Sequence, residues 1–128
     1  MKNKVLVYDQ DIDILNIIQM VLEMDNFKVL PLRDKNTIIE NAKVFKPNVA
    51  ILDYELKGEV CICVTKKLKT IFENLPIVVM SCNNNIEESC RKEGYNDYLK
   101  KPFDIENLTS TVNRNLKKNK TGLKSMCF

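Results

Sequence analysis

Histidine is absent from the 128-residue sequence. The protein therefore has no imidazole to act as a general base, and a metal ion would find no histidine ligand. No Cys-x-x-Cys pair is present either, so a zinc site would have to be built from isolated thiolates. These absences exclude histidine-dependent catalysis and centres in which histidine binds the metal.

Long hydrophobic runs are also missing from the sequence. No stretch approaches the ~20 apolar residues that a membrane span requires. The N-terminal segment MKNKVLVYDQD becomes acidic before the core of a signal peptide could form. Ser125 occupies the position at which a C-terminal prenylation box has its cysteine. We therefore expect a cytoplasmic protein that does not bind a membrane.

Apart from a short basic C-terminal end, charge of one sign is not concentrated in the chain. The net charge is only +3 and both signs are mixed along the sequence. Proteins that bind nucleic acids usually carry a concentrated basic patch. We therefore expect protein partners rather than nucleic acid.

The cysteine count is odd, and the spacing does not resemble a disulfide framework. We expect reduced and mostly buried thiols. The five cysteines are Cys61, Cys63, Cys82, Cys90 and Cys127.

Two periodicities alternate along the chain, and the length and the 45% hydrophobic content suit one domain. Strands are predicted at Lys4–Tyr8, Phe27–Leu32, Val49–Leu52, Ile77–Ser81 and Asp97–Leu99. Helices are predicted at Asp11–Met24, Asn36–Phe45, Glu59–Phe72, Ile86–Glu93 and Ile105–Lys118. Strands separated by helices indicate a three-layer, doubly wound (βα)5 fold with a five-stranded parallel sheet. We expect one domain over residues 1–118 and a short basic tail over residues 119–128.

Chemistry in such a sheet gathers at the carboxyl ends of the strands. Four polar residues stand at or just after these ends: Asp9, Asp53, Ser81 and Lys101. Two carboxylates, a hydroxyl and an ammonium suit transfer of a phosphoryl group to a carboxylate. Asp53 is the expected nucleophile, and a divalent cation held with Asp9 is expected to offset the charge. Lys101 and Ser81 are expected to contact phosphoryl oxygens.

Four motifs in order, between Lys4 and about Lys118, resemble the response-regulator receiver family. They are LVYDQD, AILDYEL, PIVVMSC and DYLKKPF. The resemblance implies a flavodoxin-like fold, phosphorylation on Asp53, Mg²⁺ or Mn²⁺, and a histidine kinase or histidine phosphotransfer protein as donor. It also implies a cis bond before Pro102 and a switch that involves Ser81 and Tyr98. A protein partner is expected at the face of the fourth helix, fifth strand and fifth helix, with the chain a monomer or weak dimer.

Two segments depart from the family pattern. Gln10 stands where the family has an acidic metal ligand, and a neutral amide is a poorer ligand for Mg²⁺. We therefore expect weak metal affinity. The backbone carbonyl of Glu55 is the expected further ligand. Its side chain either replaces the missing charge or, together with Asn83, tunes dephosphorylation. Lys57 also stands in place of the usual proline.

Two alternative functions remain open. A degenerate receiver would bind partners without being phosphorylated, as Gln10 permits. A phosphatase of the haloacid-dehalogenase type would use Asp9 as the nucleophile and Asp11 as the acid and base. The sequence has no residues for a cap domain and no convincing late acidic pair for the metal. We therefore favour a phosphoacceptor signalling domain that is not an enzyme.

Overall fold

The structure is a computed structural model that describes residues 2–54 and 59–120. Its strands are β1 (Lys4–Tyr8), β2 (Lys28–Leu32), β3 (Val49–Asp53), β4 (Ile77–Ser81) and β5 (Asp97–Lys100). Its helices are α1 (Ile12–Met24), α2 (Ile38–Phe45), α3 (Glu59–Ile71), α4 (Ile86–Glu93) and α5 (Ile105–Lys120). The alternation of strands and helices predicted from the sequence is confirmed.

All strand pairs in the sheet are parallel, and the strand order is β2-β1-β3-β4-β5. The chain moves from β1 outward to β2 and then crosses back to β3, so the order reverses between β1 and β3. A parallel sheet of this kind gathers its functional groups beyond the carboxyl ends, at the point of reversal. The predicted doubly wound, flavodoxin-like architecture is confirmed.

Alternate residues of β3 face opposite sides of the sheet, as the period of two requires. Val49 and Ile51 pack in a core with side chains of α1 and α5. Ala50 and Leu52 pack in a second core with side chains of α2, α3 and α4. Helices therefore cover both faces of the sheet, which explains why the central strands consist of consecutive apolar residues. Each described helix is too short or too polar to cross a membrane.

Several element boundaries differ from those predicted. Helix α2 begins at Ile38 rather than Asn36, because Lys35–Thr37 forms a separate 3₁₀ turn capped by Asp34. Helix α5 continues to Lys120, two residues beyond the predicted end. No glycine or proline occurs in that region before Gly122, so nothing in the local sequence stops the helix earlier. Residues 121–128 lie outside the described part of the chain.

The expectation of mostly buried thiols is wrong for half of the described cysteines. Cys61 and Cys90 are buried, whereas Cys63 and Cys82 are exposed. Two residues along a helix correspond to a rotation of about 200°, which places Cys63 on the side of α3 opposite to Cys61. All four thiols are free, and Cys127 lies outside the described residues.

Burial raises the pKa of the Cys61 thiol to about 11, although the nearby hydroxyls of Tyr95 and Thr65 oppose the shift. The thiol in the unfolded chain ionises near its ordinary pKa of 9.0. The folded protein therefore holds a proton that the unfolded chain loses, and stability falls as the pH rises from about 9 to about 11.

We predict that the unfolding free energy of the wild type will fall by about 2 kcal/mol more than that of Cys61→Ala over this pH interval. The variant differs because it has no buried thiol to keep protonated. Urea unfolding followed by circular dichroism at a series of pH values measures the difference. Cys63→Ala controls for the loss of a thiol from the same helix. Parallel pH profiles for the wild type and Cys61→Ala would contradict the prediction.

Candidate functional site

The candidate site lies where four strands of the parallel sheet end. Asp9 directly follows β1, Asp53 is the last residue of β3, Ser81 is the last residue of β4, and Lys101 directly follows β5. The register places Asp53 opposite Met80 and Ser81 opposite Lys100. The sequence-predicted residues are therefore at one edge of the sheet.

One ammonium joins the two carboxylates. Lys101 Nζ donates to Asp9 Oδ2 at 2.7 Å and to Asp53 Oδ1 at 3.3 Å. The Asp9 side chain is 2% exposed, whereas the Asp53 side chain is 14% exposed. Asp53 is thus the carboxylate of the pair that remains more accessible to a reactant. Two carboxylates with one ammonium leave a net negative charge.

The other carboxylate oxygen of Asp9 also accepts a hydrogen bond. The backbone N–H of Asp11 donates to Asp9 Oδ1 at 2.9 Å. The Asp11 carboxylate in turn caps α1 by accepting from the N–H groups of Asp13 and Ile14. Asp9 therefore has a fixed orientation, because both of its oxygens accept hydrogen bonds.

The pKa of Lys101 results from opposing effects. Burial lowers the pKa, but the hydrogen bond to Asp9 and the charges of Asp53 and Asp9 outweigh burial, so the pKa lies above its ordinary value. Lys101 consequently stays positively charged at physiological pH. The Lys101–Pro102 peptide bond is cis.

Ser81 is buried, and its hydroxyl closes a turn. Its Oγ accepts a hydrogen bond from the backbone N–H of Asn83 at 2.9 Å. The carbonyl of Asn83 then accepts from the N–H of Ile86, the first residue of α4, at 3.2 Å. Ser81 is therefore linked to α4 through a short series of hydrogen bonds.

Tyr98 is half-buried and packs against the core on the α2–α4 side of the sheet. Burial and the nearby carboxylates of Glu87 and Asp97 raise its pKa. The ring of Tyr98 therefore lies in contact with α4.

Gln10 is exposed, and its backbone carbonyl accepts a hydrogen bond from Arg33 Nε at 3.3 Å. Glu55 and Lys57 lie outside the described residues, so the predicted ligand and the predicted loop change have no structural description.

The donor set suits a hard divalent cation. Asp9 and Asp53 supply carboxylate oxygens, which Mg²⁺ and Mn²⁺ prefer, and the net negative charge attracts a cation. Within the described residues, no cluster of three or more histidine, cysteine, aspartate or glutamate side chains could hold a metal ion. Backbone carbonyls and water would have to complete the coordination.

One residue near the site was not singled out from the sequence. Tyr54 follows Asp53, and its hydroxyl donates to both carboxylate oxygens of Glu93 at 2.8 and 3.0 Å. The two residues are 39 positions apart. No local sequence motif predicts a hydrogen bond between residues so far apart, so the contact between Tyr54 and Glu93 could not be inferred from the sequence.

Known proteins resemble this chain over most of its length. The chain is 27% identical over 111 residues to the transcriptional regulatory protein PrrA of Mycobacterium leprae, which covers 85% of the chain and 48% of PrrA. It is 25% identical over 116 residues to the phosphate regulon transcriptional regulatory protein PhoB of Escherichia coli, which covers 88% of the chain and 51% of PhoB. The chain thus spans about half the length of these relatives.

Solved structures agree with the fold. The chemotaxis response regulator CheY4 of Vibrio cholerae superposes with a TM-score of 0.81 at 22% identity, over 91% of this chain and 100% of CheY4. At that level of identity the superposition establishes the fold alone. Residues 5–113 match the family model described as the response regulator receiver domain. The chain therefore belongs to the response regulator receiver domain family of two-component systems.

Proposed function

We propose that the chain accepts a phosphoryl group on Asp53 and thereby switches a partner-binding face. The observation that carries this proposal is the pair of carboxylates, Asp9 and Asp53, that share the Lys101 ammonium at the carboxyl edge of the sheet. The proposed donor is the phosphorylated imidazole of a histidine kinase or a histidine phosphotransfer protein.

The proposed reaction is displacement at phosphorus. An Asp53 carboxylate oxygen attacks the phosphorus atom, a P–O bond forms, and the P–N bond of the donor breaks. The electron pair of that bond returns to the imidazole nitrogen, so the product is an acyl phosphate. Lys101 supports the transfer because it keeps a positive charge 3.3 Å from Asp53 and can offset charge on a phosphoryl oxygen.

We propose that Asp9 and Asp53 hold Mg²⁺ or Mn²⁺, together with the backbone carbonyl of Glu55. When bound, the cation supplies the positive charge that lets two anionic groups approach each other. The fixed hydrogen bond from Asp11 keeps the buried Asp9 carboxylate in a single orientation.

Phosphorylation is proposed to act through Ser81 and Tyr98. A phosphoryl group adds a charge of about −1.5 to −2, which would draw the Ser81 hydroxyl away from the N–H of Asn83. The Tyr98 ring would then turn inward and change the surface formed by α4, β5 and α5.

We propose that this surface binds a protein rather than nucleic acid. A structure with a bound phosphoryl mimic in which neither side chain moves would overturn the switch.

We predict that the wild type will gain the mass of one phosphoryl group when it is incubated with acetyl phosphate and Mg²⁺, and that Asp53→Asn will not. The amide nitrogen and oxygen of asparagine cannot form the acyl phosphate. Intact-mass measurement with site mapping detects the gain.

Asp104→Asn is a matched control, because Asp104 accepts the N–H of Asn107 at the start of α5 and asparagine caps helices equally well. The control should be phosphorylated like the wild type. Full phosphorylation of Asp53→Asn would contradict the assignment of Asp53. A wild type that gains no mass would favour the degenerate receiver, the second candidate that Gln10 supports.

We also predict that Gln10→Asp will tighten Mg²⁺ binding about tenfold, since a carboxylate next to Asp9 adds a negative charge close to the cation. Calorimetric titration measures the dissociation constant. Asn16→Asp, an exposed site on α1, adds the same charge away from the pocket and should have little effect.

An unchanged dissociation constant in Gln10→Asp would show that another group already supplies this charge. Glu55→Gln in the same titration identifies that group, because weaker Mg²⁺ binding would assign the role to Glu55. A changed dephosphorylation rate with unchanged Mg²⁺ binding would instead place Glu55, with Asn83, in control of the attacking water.

A further inference from the structure

Tyr54 extends β3 beyond the proposed phosphoacceptor. Its backbone N–H donates to the carbonyl of Met80 at 2.8 Å, so the residue remains joined to β4. Its side chain belongs to the alternating series of Ala50 and Leu52, which faces the α2–α4 side of the sheet. The ring is 5% exposed. Tyr54 is therefore a rigidly placed residue that points from the acceptor strand toward α4.

The hydroxyl of Tyr54 is attached to the end of α4. Both oxygens of Glu93, the last residue of α4, accept its hydrogen bond at 2.8 and 3.0 Å. Ser89, one turn earlier on α4, also lies near the phenol. Hydrogen bonds to an ionised carboxylate are about twice as strong as bonds between neutral groups. The Tyr54 side chain therefore holds the C-terminal turn of α4 against the sheet.

Helix α4 buries few side chains against the rest of the protein. Only two of its eight side chains are buried, Ile86 near the start and Cys90 near the end. The helix ends at Gly94, which caps it in a left-handed conformation with φ of 80°. Because so little apolar surface is buried, a charge-assisted hydrogen bond is a large part of what positions this helix.

Both ends of α4 thus depend on residues beside the proposed phosphoacceptor. The N-terminal end is linked through Asn83 to the hydroxyl of Ser81, the last residue of β4. The C-terminal end is linked through Glu93 to Tyr54, the residue after Asp53. If Ser81 turns toward a phosphoryl group, it gives up the N–H of Asn83 and releases the first link. The second link still holds the helix.

We propose that Tyr54 is a positioning residue whose hydrogen bond to Glu93 holds α4 in its unphosphorylated position and so opposes the switch. The proposal rests on the phosphoacceptor function of Asp53. Coupling between two sites is reciprocal, so a bond that a phosphoryl group on Asp53 must break also weakens the binding of that group. Removal of the bond should therefore strengthen binding at Asp53.

The test is titration of the full chain with beryllofluoride, a phosphoryl mimic, in the presence of Mg²⁺. Tyr54→Phe removes the hydroxyl and keeps the ring, and Glu93→Ala removes the acceptor at a half-buried helix end. Each variant should bind beryllofluoride about threefold to tenfold more tightly than the wild type. The double variant should gain no more than either single variant, because both remove the same bond.

Tyr95→Phe is the matched control. Tyr95 packs edge-on against Tyr54, with ring centroids 6.2 Å apart, and its substitution removes a hydroxyl from the same cluster while the Tyr54–Glu93 bond remains. Its affinity for beryllofluoride should match that of the wild type. Hydrogen exchange gives a second readout. Without the mimic, the α4 amides should exchange faster in Tyr54→Phe than in the wild type.

The possible results separate this inference from the proposed function. If acetyl phosphate phosphorylates the wild type on Asp53 but all variants bind beryllofluoride with equal affinity, the bond is only structural and the inference fails alone. Weaker binding in Tyr54→Phe would also overturn it, because the bond would then favour the switched position. If the wild type is neither phosphorylated nor bound by beryllofluoride, the proposed function and the inference fail together.

Discussion

The ammonium of Lys101 joins the carboxyl ends of three strands. It binds Asp9 after β1 and Asp53 at the end of β3, residues that lie 92 and 48 positions away in the sequence. Asp9 is almost completely buried, and a buried carboxylate is tolerated only when it is paired and hydrogen bonded. The ammonium and the N–H of Asp11 provide both conditions. The edge of the sheet can therefore keep two carboxylates close together.

This arrangement explains why the proposed chemistry and the proposed switch share one edge of the sheet. The more accessible carboxylate, Asp53, is followed by Tyr54, which reaches the C-terminal end of α4. Ser81, at the end of the neighbouring strand, is linked to the N-terminal end of the same helix. A helix with two buried side chains depends strongly on such polar links. We propose that changes in charge at the edge therefore alter the position of α4 more readily than that of α1, which has four buried side chains.

Much of the architecture was predictable because parallel strands and amphipathic helices leave distinct periodicities. The strand ends also identified Asp9, Asp53, Ser81 and Lys101, since a doubly wound sheet places its chemistry there. The errors have local causes. The start of α2 was predicted too early because a 3₁₀ turn has no distinct apolar period, and α5 continues because no breaking residue stops it. The exposure of Cys82 was missed because it follows a buried strand directly.

The sequence by itself determined the order of the elements and the polar residues at the strand ends, because these depend on local period and composition. Only the tertiary structure decided that one lysine serves both carboxylates and that Tyr54 meets Glu93. Such contacts depend on strand order, register and the angle at which each helix packs. Those features are set by the packing of the whole chain, in which residues far apart in sequence become neighbours.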